Sequence, residues 1–209
     1  MSRIVISFAA CILTVFAAPV SAAIIFTDSG SFLNLVQPVR FLNAFSSGGV
    51  PNPVAAVPSI DYTGSGFSYT VTAEGGLYVD NATIGNWVAA FPVVFNFTGD
   101  PVTAIGGNFY LTNIGGTLQN NLPVTIQLSD GTSETFIAST EGEYRGFIST
   151  GPAITSMTLT PPTPFTDRFY NVDNLTVGTA VPEPTTIGLI ATAGAIALVA
   201  RRRRLSRSN

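Results

Sequence analysis

The chain lacks lysine and histidine, contains one cysteine, and has few charged residues of either sign. All nine positive charges are arginines, and charged residues make up 10% of the 209 residues. The single cysteine, Cys11, lies in an apolar N-terminal segment. Once that segment is removed, the chain can form no disulfide, no Cys/His zinc site, no Cys–His pair and no Ser–His–Asp triad.

The charges that remain are unevenly distributed. All twelve acidic residues lie between Asp28 and Glu183, together with only three arginines, which gives this central part a formal charge of −9. Five of the other arginines lie within residues 201–209. An acidic body repels the phosphate backbone of nucleic acids, so the sequence argues against a nucleic-acid partner.

Residues 1–22 have the pattern of a secretory signal peptide. An arginine near the start precedes an apolar stretch from Ile4 to Ala18, and small residues follow where a signal peptidase cleaves. We expect cleavage after Ala22 or Ala23. The alternative, a lipoprotein signal ending at Cys11, would leave too short an apolar stretch.

An apolar segment also lies near the C-terminus. Thr185 to Ala200 contains no charged residue and is followed at once by arginines. As a helix it would span roughly 24 Å at about 1.5 Å per residue, slightly less than a hydrocarbon core, and flanking residues and local thinning can absorb the deficit. The sequence therefore predicts a transmembrane helix. Because arginines favour the cytoplasmic side of a membrane, the body should face outward.

Three features follow one another around this helix. They are an extended segment with Pro182, Glu183 and Pro184, the apolar helix, and a cluster formed by Arg201, Arg202, Arg203 and Arg204. The two prolines fix φ and remove two backbone donors, which keeps the segment extended until the helix begins. Residues 179–209 resemble the PEP-CTERM sorting signal of Gram-negative bacteria. The resemblance implies that an exosortase, a membrane-embedded protease, removes the tail while the protein is exported.

Residues 23–178 show a β pattern with frequent turns. Phe67 to Ala73 alternates between large apolar and smaller or polar residues, which is typical of a half-buried strand. Seven similar runs follow, and Asp130-Gly131 between two of them predicts a hairpin turn. A helical pattern occurs at Asp28 to Val36, where Asp28 or Ser29 can cap the helix. The sequence therefore predicts an all-β fold, a jelly-roll-like two-sheet sandwich.

Two groups of residues in the body are candidates for function. Glu134, Glu141 and Glu143 form the densest acidic group and could act as acid and base in glycoside cleavage, but the sequence favours a solvated hairpin loop. Trp87 and the six tyrosines could stack against sugar rings, or could pack in the core. Spacing along the chain does not decide between these alternatives.

The sequence predicts an exported, non-enzymatic protein of the cell surface or extracellular matrix, anchored in the inner membrane before an exosortase processes it. The body also resembles jelly-roll carbohydrate-binding and lectin-like modules. The alternatives are therefore a carbohydrate-binding module for the bacterium's own exopolysaccharide, or an extracellular glycan hydrolase.

Asp173 and Asn174 form a candidate calcium site. They lie in the last predicted strand, where the modules that the body resembles often carry a structural calcium ligand. Calcium takes six to eight oxygen ligands, and a body without histidine or cysteine suits a hard cation. Two observations argue against a site: Arg40 to Asn43 has no carboxylate where similar proteins often place one, and Asp-Asn also begins turns. The sequence indicates no other cofactor.

If Asp173 and Asn174 hold calcium, millimolar calcium should raise the unfolding temperature of the purified body, because the ion binds only the folded form. Thermal unfolding with calcium, and then with a chelator, measures the effect. Asp173→Ala should abolish it. An unchanged midpoint for the wild type would contradict calcium binding.

Overall fold

The computed structural model of the protein describes residues 23–45, 54–80, 82–89, 91–160 and 167–181. Within these ranges the chain forms one short helix, α1 (Ser29–Leu33), and twelve strands. The strands are β1 (Ile24–Phe26), β2 (Val36–Asn43), β3 (Val54–Gly64), β4 (Phe67–Asp80), β5 (Thr83–Asn86), β6 (Val93–Gly99), β7 (Ala104–Thr112), β8 (Pro123–Leu128), β9 (Ser133–Ile137), β10 (Tyr144–Ile148), β11 (Ser156–Thr160) and β12 (Phe169–Ala180). The all-β prediction is confirmed.

Both predicted export segments fall outside the described residues. These are the signal peptide, residues 1–22, and the tail from Pro182 onward. In the part of the chain that the structure describes, no helix has the length and apolar character needed to cross a membrane.

The strands form one curled antiparallel sheet. Its order is β1-β10-β7-β12-β5-β4-β6-β11-β8-β9, with β2 beside β12 and β3 beside β4. The short strand β5 lies between two halves of this sheet, one that contains β12 and one that contains β4. It pairs with β4 along its length and with β12 through Ile84 and Val172. The half that contains β12 and the half that contains β4 are therefore continuous.

The inner face of both halves carries a single core. In β4, alternate residues from Phe67 to Ala73 are buried, as the sequence pattern predicted. They belong to one cluster with apolar residues of the other half, which include Ile105, Phe109, Leu111, Phe147, Val172 and Val177. Each side chain of this size contributes about 1.5–3 kcal/mol when it leaves water, so the shared core holds the halves together.

The helix α1 begins as the sequence predicted but ends earlier. Asp28 is the N-cap residue, and its carboxylate accepts a hydrogen bond from the backbone N–H of Ser31 at 2.6 Å. This bond lowers the pKa of Asp28. The helix ends at Leu33 because Val36 already begins β2, where it pairs with Ala180 of β12.

α1 covers one part of the outer face of the sheet. Phe32 is fully buried there in a small cluster with Ala104 and Ile148. Glycines beneath the ring make this possible: a Cβ added to Gly146 would lie 2.6 Å from Phe32, and one added to Gly106 would lie 2.9 Å from it. The outer face further along β7, toward Thr112, lies beyond this cover.

The strand β4 changes partner at Gly75 and Gly76. Residues Phe67–Ala73 pair with β6, whereas Leu77–Asp80 pair with β5. Both glycines have positive φ values, 84° and 99°, in a region that favours glycine. A Cβ on Gly76 would also lie 2.6 Å from the Cα of Ala56. These two glycines therefore let one strand belong to both halves of the sheet.

Gly76→Ala should lower the free energy of unfolding by more than the roughly 1–3 kcal/mol that a positive φ costs by itself, because the added Cβ also meets backbone atoms. Gly131→Ala is the matched control, since Gly131 has φ of 92° but no atom within 4 Å of an added Cβ. Denaturant unfolding of both variants measures the difference. Equal losses would contradict a steric role for Gly76.

Candidate functional site

A cavity of about 400 Å³ opens on the outer face, beyond the part that α1 covers. It lies where β4, β5, β7 and β12 meet, and its size is typical of sites for small molecules. The side chains that line it include Tyr78, Asp80, Thr83, Asn86, Trp87, Tyr110, Thr112, Asn113, Ile114, Glu141, Phe169 and Asn171.

Trp87 is the exposed aromatic residue of this cavity. Its side chain is 45% exposed and stacks on Tyr78, with ring centroids 6.1 Å apart and an angle of 29° between the planes. The hydroxyl of Tyr78 donates to Oδ2 of Asp80 at 2.8 Å. Burial and this bond raise the pKa of Tyr78. Of the two alternatives for Trp87, a stacking surface or a core residue, the structure places it at the surface.

Asn86 fixes the segment that presents Trp87. It is almost fully buried, its Oδ1 accepts a hydrogen bond from the backbone N–H of Tyr170 at 2.7 Å, and its Nδ2 donates to the carbonyl of Val88 at 2.9 Å. The backbone N–H of Trp87 in turn donates to the carbonyl of Gly76 at 2.8 Å. The backbone that presents the indole is therefore held by β12 on one side and by the corner of β4 on the other.

Polar side chains of β7 and β12 form the floor of the cavity. Nδ2 of Asn171 donates to Oγ1 of Thr112 at 2.9 Å. Burial, followed by the negative charges of Glu141 and Asp173, raises the pKa of Tyr110 to about 12. Because the hydroxyl of Tyr110 stays protonated at neutral pH, it can donate a hydrogen bond to a bound molecule.

The structure separates the three glutamates that lie close together in the sequence. Glu141 lines the cavity, but Glu134 and Glu143 pair with the buried Arg145 at 3.6 and 2.9 Å. Burial alone would raise the pKa of Glu143, but hydrogen bonds from Arg145 and Ser139 lower it. Two of the three carboxylates thus neutralise a buried guanidinium and do not line the cavity.

Asp173 and Asn174 lie at a bulge in β12. Asn174 has φ of 51°, and its backbone N–H and Nδ2 donate to the two carboxylate oxygens of Asp173 at 2.6 and 2.8 Å. Nδ2 of Asn174 also donates to Oδ1 of Asn108 at 3.1 Å, and burial raises the pKa of Asp173. Among the residues described, no three His, Cys, Asp or Glu side chains gather as metal ligands. Calcium binding at this bulge stays a prediction.

The sequence did not single out Asp80, Asn86 and Asn171 as site residues. Their only signal is a polar side chain inside or at the end of a strand that is otherwise rich in apolar residues. The sorting residues, Pro182 to Pro184 and Arg201 to Arg204, lie outside the described residues.

The cavity can bind a small ring by two kinds of contact. The indole offers an apolar face, and hydroxyl, amide and carboxylate groups offer hydrogen bonds in several directions. Two carboxylates, those of Asp80 and Glu141, line the cavity, and among the described residues no basic side chain does. Its electrostatic field therefore disfavours anions.

Comparison with known proteins gives one match in sequence and one in structure. No curated protein matches the chain. Among solved structures, the chain is similar to a mutant of CBM29-2, a family 29 carbohydrate-binding module, with 14% identity, coverage of 67% of this chain and 90% of that chain, and a TM-score of 0.34. Residues 180–204 match the family model for the PEP-CTERM protein-sorting motif. The predicted resemblance is confirmed, and the chain carries a PEP-CTERM sorting motif.

Proposed function

We propose that the chain is a non-enzymatic protein that is exported, held in the inner membrane by its C-terminal helix, and then released by an exosortase to the cell surface or matrix. The match at residues 180–204 is the observation that carries this proposal. The acidic body and the C-terminal arginines support the orientation, because arginines favour the cytoplasmic side of a membrane.

The C-terminal end of the body is compatible with removal of the tail by a protease. The backbone N–H of Val181 donates to the carbonyl of Leu35 at 2.8 Å, and Ala180 is the last residue of β12. The hydrogen bonds that hold the body therefore reach to within one residue of Pro182. A protease that acts beyond Pro182 can remove the tail without breaking any of them.

We propose further that the body binds carbohydrate in the cavity beside Trp87. The observation that supports this proposal is the Trp87 side chain, which is 45% exposed, stacks on Tyr78, and borders a floor of hydroxyl and amide groups. A sugar ring has one face of C–H groups, which packs on an aromatic ring, and hydroxyl edges, which need donors and acceptors. This arrangement favours the carbohydrate-binding alternative for the body.

The charges of the cavity narrow the class of carbohydrate. Asp80 and Glu141 place negative charge at the lining, so uronic acids and phosphorylated sugars would be repelled. We therefore propose neutral or amino sugars of the surface polysaccharide as ligands. Catalysis is not part of the proposal, since two of the three glutamates that could act as acid and base, Glu134 and Glu143, form ion pairs with Arg145.

We also infer that the curled sheet is a jelly-roll-like sandwich. In this interpretation β1, β10, β7, β12 and β2 form one layer, and β3, β4, β6, β11, β8 and β9 form the other. Apolar residues from both layers meet in one cluster, which supports the inference. An experimental structure in which the two halves lie side by side as an open sheet would contradict it.

Replacing Pro182, Glu183 and Pro184 by alanines should leave an unprocessed form in the membrane, because the extended recognition segment becomes able to join the helix. Fractionation and intact mass of the exported protein measure this. Thr185→Ala with Thr186→Ala is the control, since it changes adjacent residues but keeps the tripeptide. A triple variant that still loses its arginine tail would contradict the sorting role.

Trp87→Ala should weaken binding to neutral or amino-sugar polysaccharides about tenfold, the equivalent of about 1.4 kcal/mol, because it removes the stacking face. Affinity electrophoresis with a neutral glucan, with chito-oligosaccharides and with a uronic-acid polymer measures both the loss and the preference. Leu42→Ala is the control, since Leu42 is an exposed apolar residue on β2, away from the cavity. Equal binding by Trp87→Ala and the wild type, or no binding by either, would overturn the proposal.

A further inference from the structure

Ala23, which follows the predicted signal peptide, is packed in the core and hydrogen-bonded. Ala23 is 9% exposed and belongs to the main core cluster. Its backbone nitrogen donates to Oγ1 of Thr132 at 2.7 Å, a buried hydrogen bond between residues that are distant in the sequence. The next residue, Ile24, begins the pairing of β1 with β10. Ala23 thus belongs to the folded body, where a defined polar contact fixes its backbone nitrogen.

A buried carboxylate oxygen without a partner lies beside the same contact. The backbone N–H of Thr132, which is 5% exposed, donates to Oδ1 of Asp130 at 2.9 Å in the turn between β8 and β9. The other oxygen of Asp130, Oδ2, is buried and has no hydrogen-bond partner among the described residues. An unsatisfied buried acceptor is costly, and more so when it belongs to a charged group. Oδ2 of Asp130 therefore lacks a donor within the part of the chain that the structure describes.

The side chains of the protein offer few cations for this role. The chain has no lysine and no histidine. Arg145 is paired with Glu134 and Glu143, and the guanidinium of Arg168 lies beside Asp167. The third arginine of the described residues, Arg40, lies on β2, where it pairs with Gly178 of β12 rather than with β8 or β9. A cation that the chain acquires only through processing, a free α-ammonium group, is a further candidate.

We propose that signal peptidase cleaves between Ala22 and Ala23, and that the new α-ammonium of Ala23 forms an ion pair with Asp130 next to Thr132. Hydrolysis of the peptide bond consumes one water, leaves the carboxylate on Ala22 and gives the nitrogen of Ala23 two more hydrogens at neutral pH. One N–H can then keep the bond to Oγ1 of Thr132, while the others are free to meet Oδ2 of Asp130.

This proposal, which rests on the export of the chain, decides between the two predicted cleavage positions. Cleavage after Ala23 would remove a residue that packs in the core and would also remove the hydrogen bond to Thr132. Cleavage after Ala22 keeps both and supplies the missing partner of Asp130. Removal of the signal peptide would thus stabilise the folded body.

The position of cleavage is tested by intact mass and N-terminal sequencing of the full chain, expressed with its leader in a Gram-negative host. The expected N-terminus is Ala23. A processed protein that begins at Ile24 or elsewhere would overturn this proposal but leave the export function standing. A chain that keeps residues 1–22 would contradict both.

The ion pair is tested by acylation of the mature protein, because a chain without lysine has the α-amine as its sole amine. Acetic anhydride reacts with the neutral amine, and each unit by which Asp130 raises the amine pKa lowers the neutral fraction about tenfold. The native protein should therefore react about tenfold more slowly than the unfolded one at neutral pH. Asp130→Asn should remove most of this protection, while Asp61→Asn, at an exposed position on β3, should leave it unchanged.

A second measurement covers the case in which Asp130→Asn does not fold. Wild-type protein is acetylated while unfolded, refolded, and compared with mock-treated protein in thermal unfolding. Loss of the ammonium should lower the midpoint by several degrees. An unchanged midpoint, or equal acylation rates for the wild type and a folded Asp130→Asn variant, would overturn the ion pair.

Discussion

The corner at Gly75 and Gly76 is the constraint on which both the fold and the cavity depend. Because these residues adopt positive φ values and Gly76 lies against the backbone of Ala56, β4 can leave β6 and continue beside β5. The same turn places Tyr78 and Asp80 on the far side of the corner, and the carbonyl of Gly76 accepts the N–H of Trp87. A side chain at Gly76 would therefore disturb the core and the site together.

The outer face of the sheet is divided between a covered part and an open part. Small residues at 104, 106 and 146 let Phe32 pack directly on the backbone of β7 and β10. Further along β7, Asn108, Tyr110 and Thr112 replace these small residues with polar or aromatic side chains that could not lie beneath a helix in the same way. The division follows from residue size along one strand, and it determines where a ligand can enter.

Local patterns predicted the elements that depend on local physics. Three predicted features depend only on neighbouring residues, and each is confirmed: the alternation in Phe67 to Ala73, the Asp130-Gly131 turn and the cap at Asp28. β1, β2, β3 and β5 escaped prediction. β2 pairs with the distant strand β12, whereas β3 forms a hairpin with the neighbouring β4 but shifts register against it twice. The surface position of Trp87 depends on which strands meet, and so does the separation of Glu141, in the cavity, from Glu134 and Glu143, beside Arg145. A single sequence does not reveal which strands meet.

The strand β12 links the cavity to the sorting motif and sets the distance between them. Its first residues, Phe169 to Asn171, line the cavity, and its last, Ala180, is the first residue of the matched sorting motif. At about 3.3 Å per residue, the strand separates the two by roughly 30 Å. If the body is anchored through its tail, as proposed, β12 would hold the cavity well away from the anchor, so that surface polysaccharide could be bound both before and after the proposed release by an exosortase.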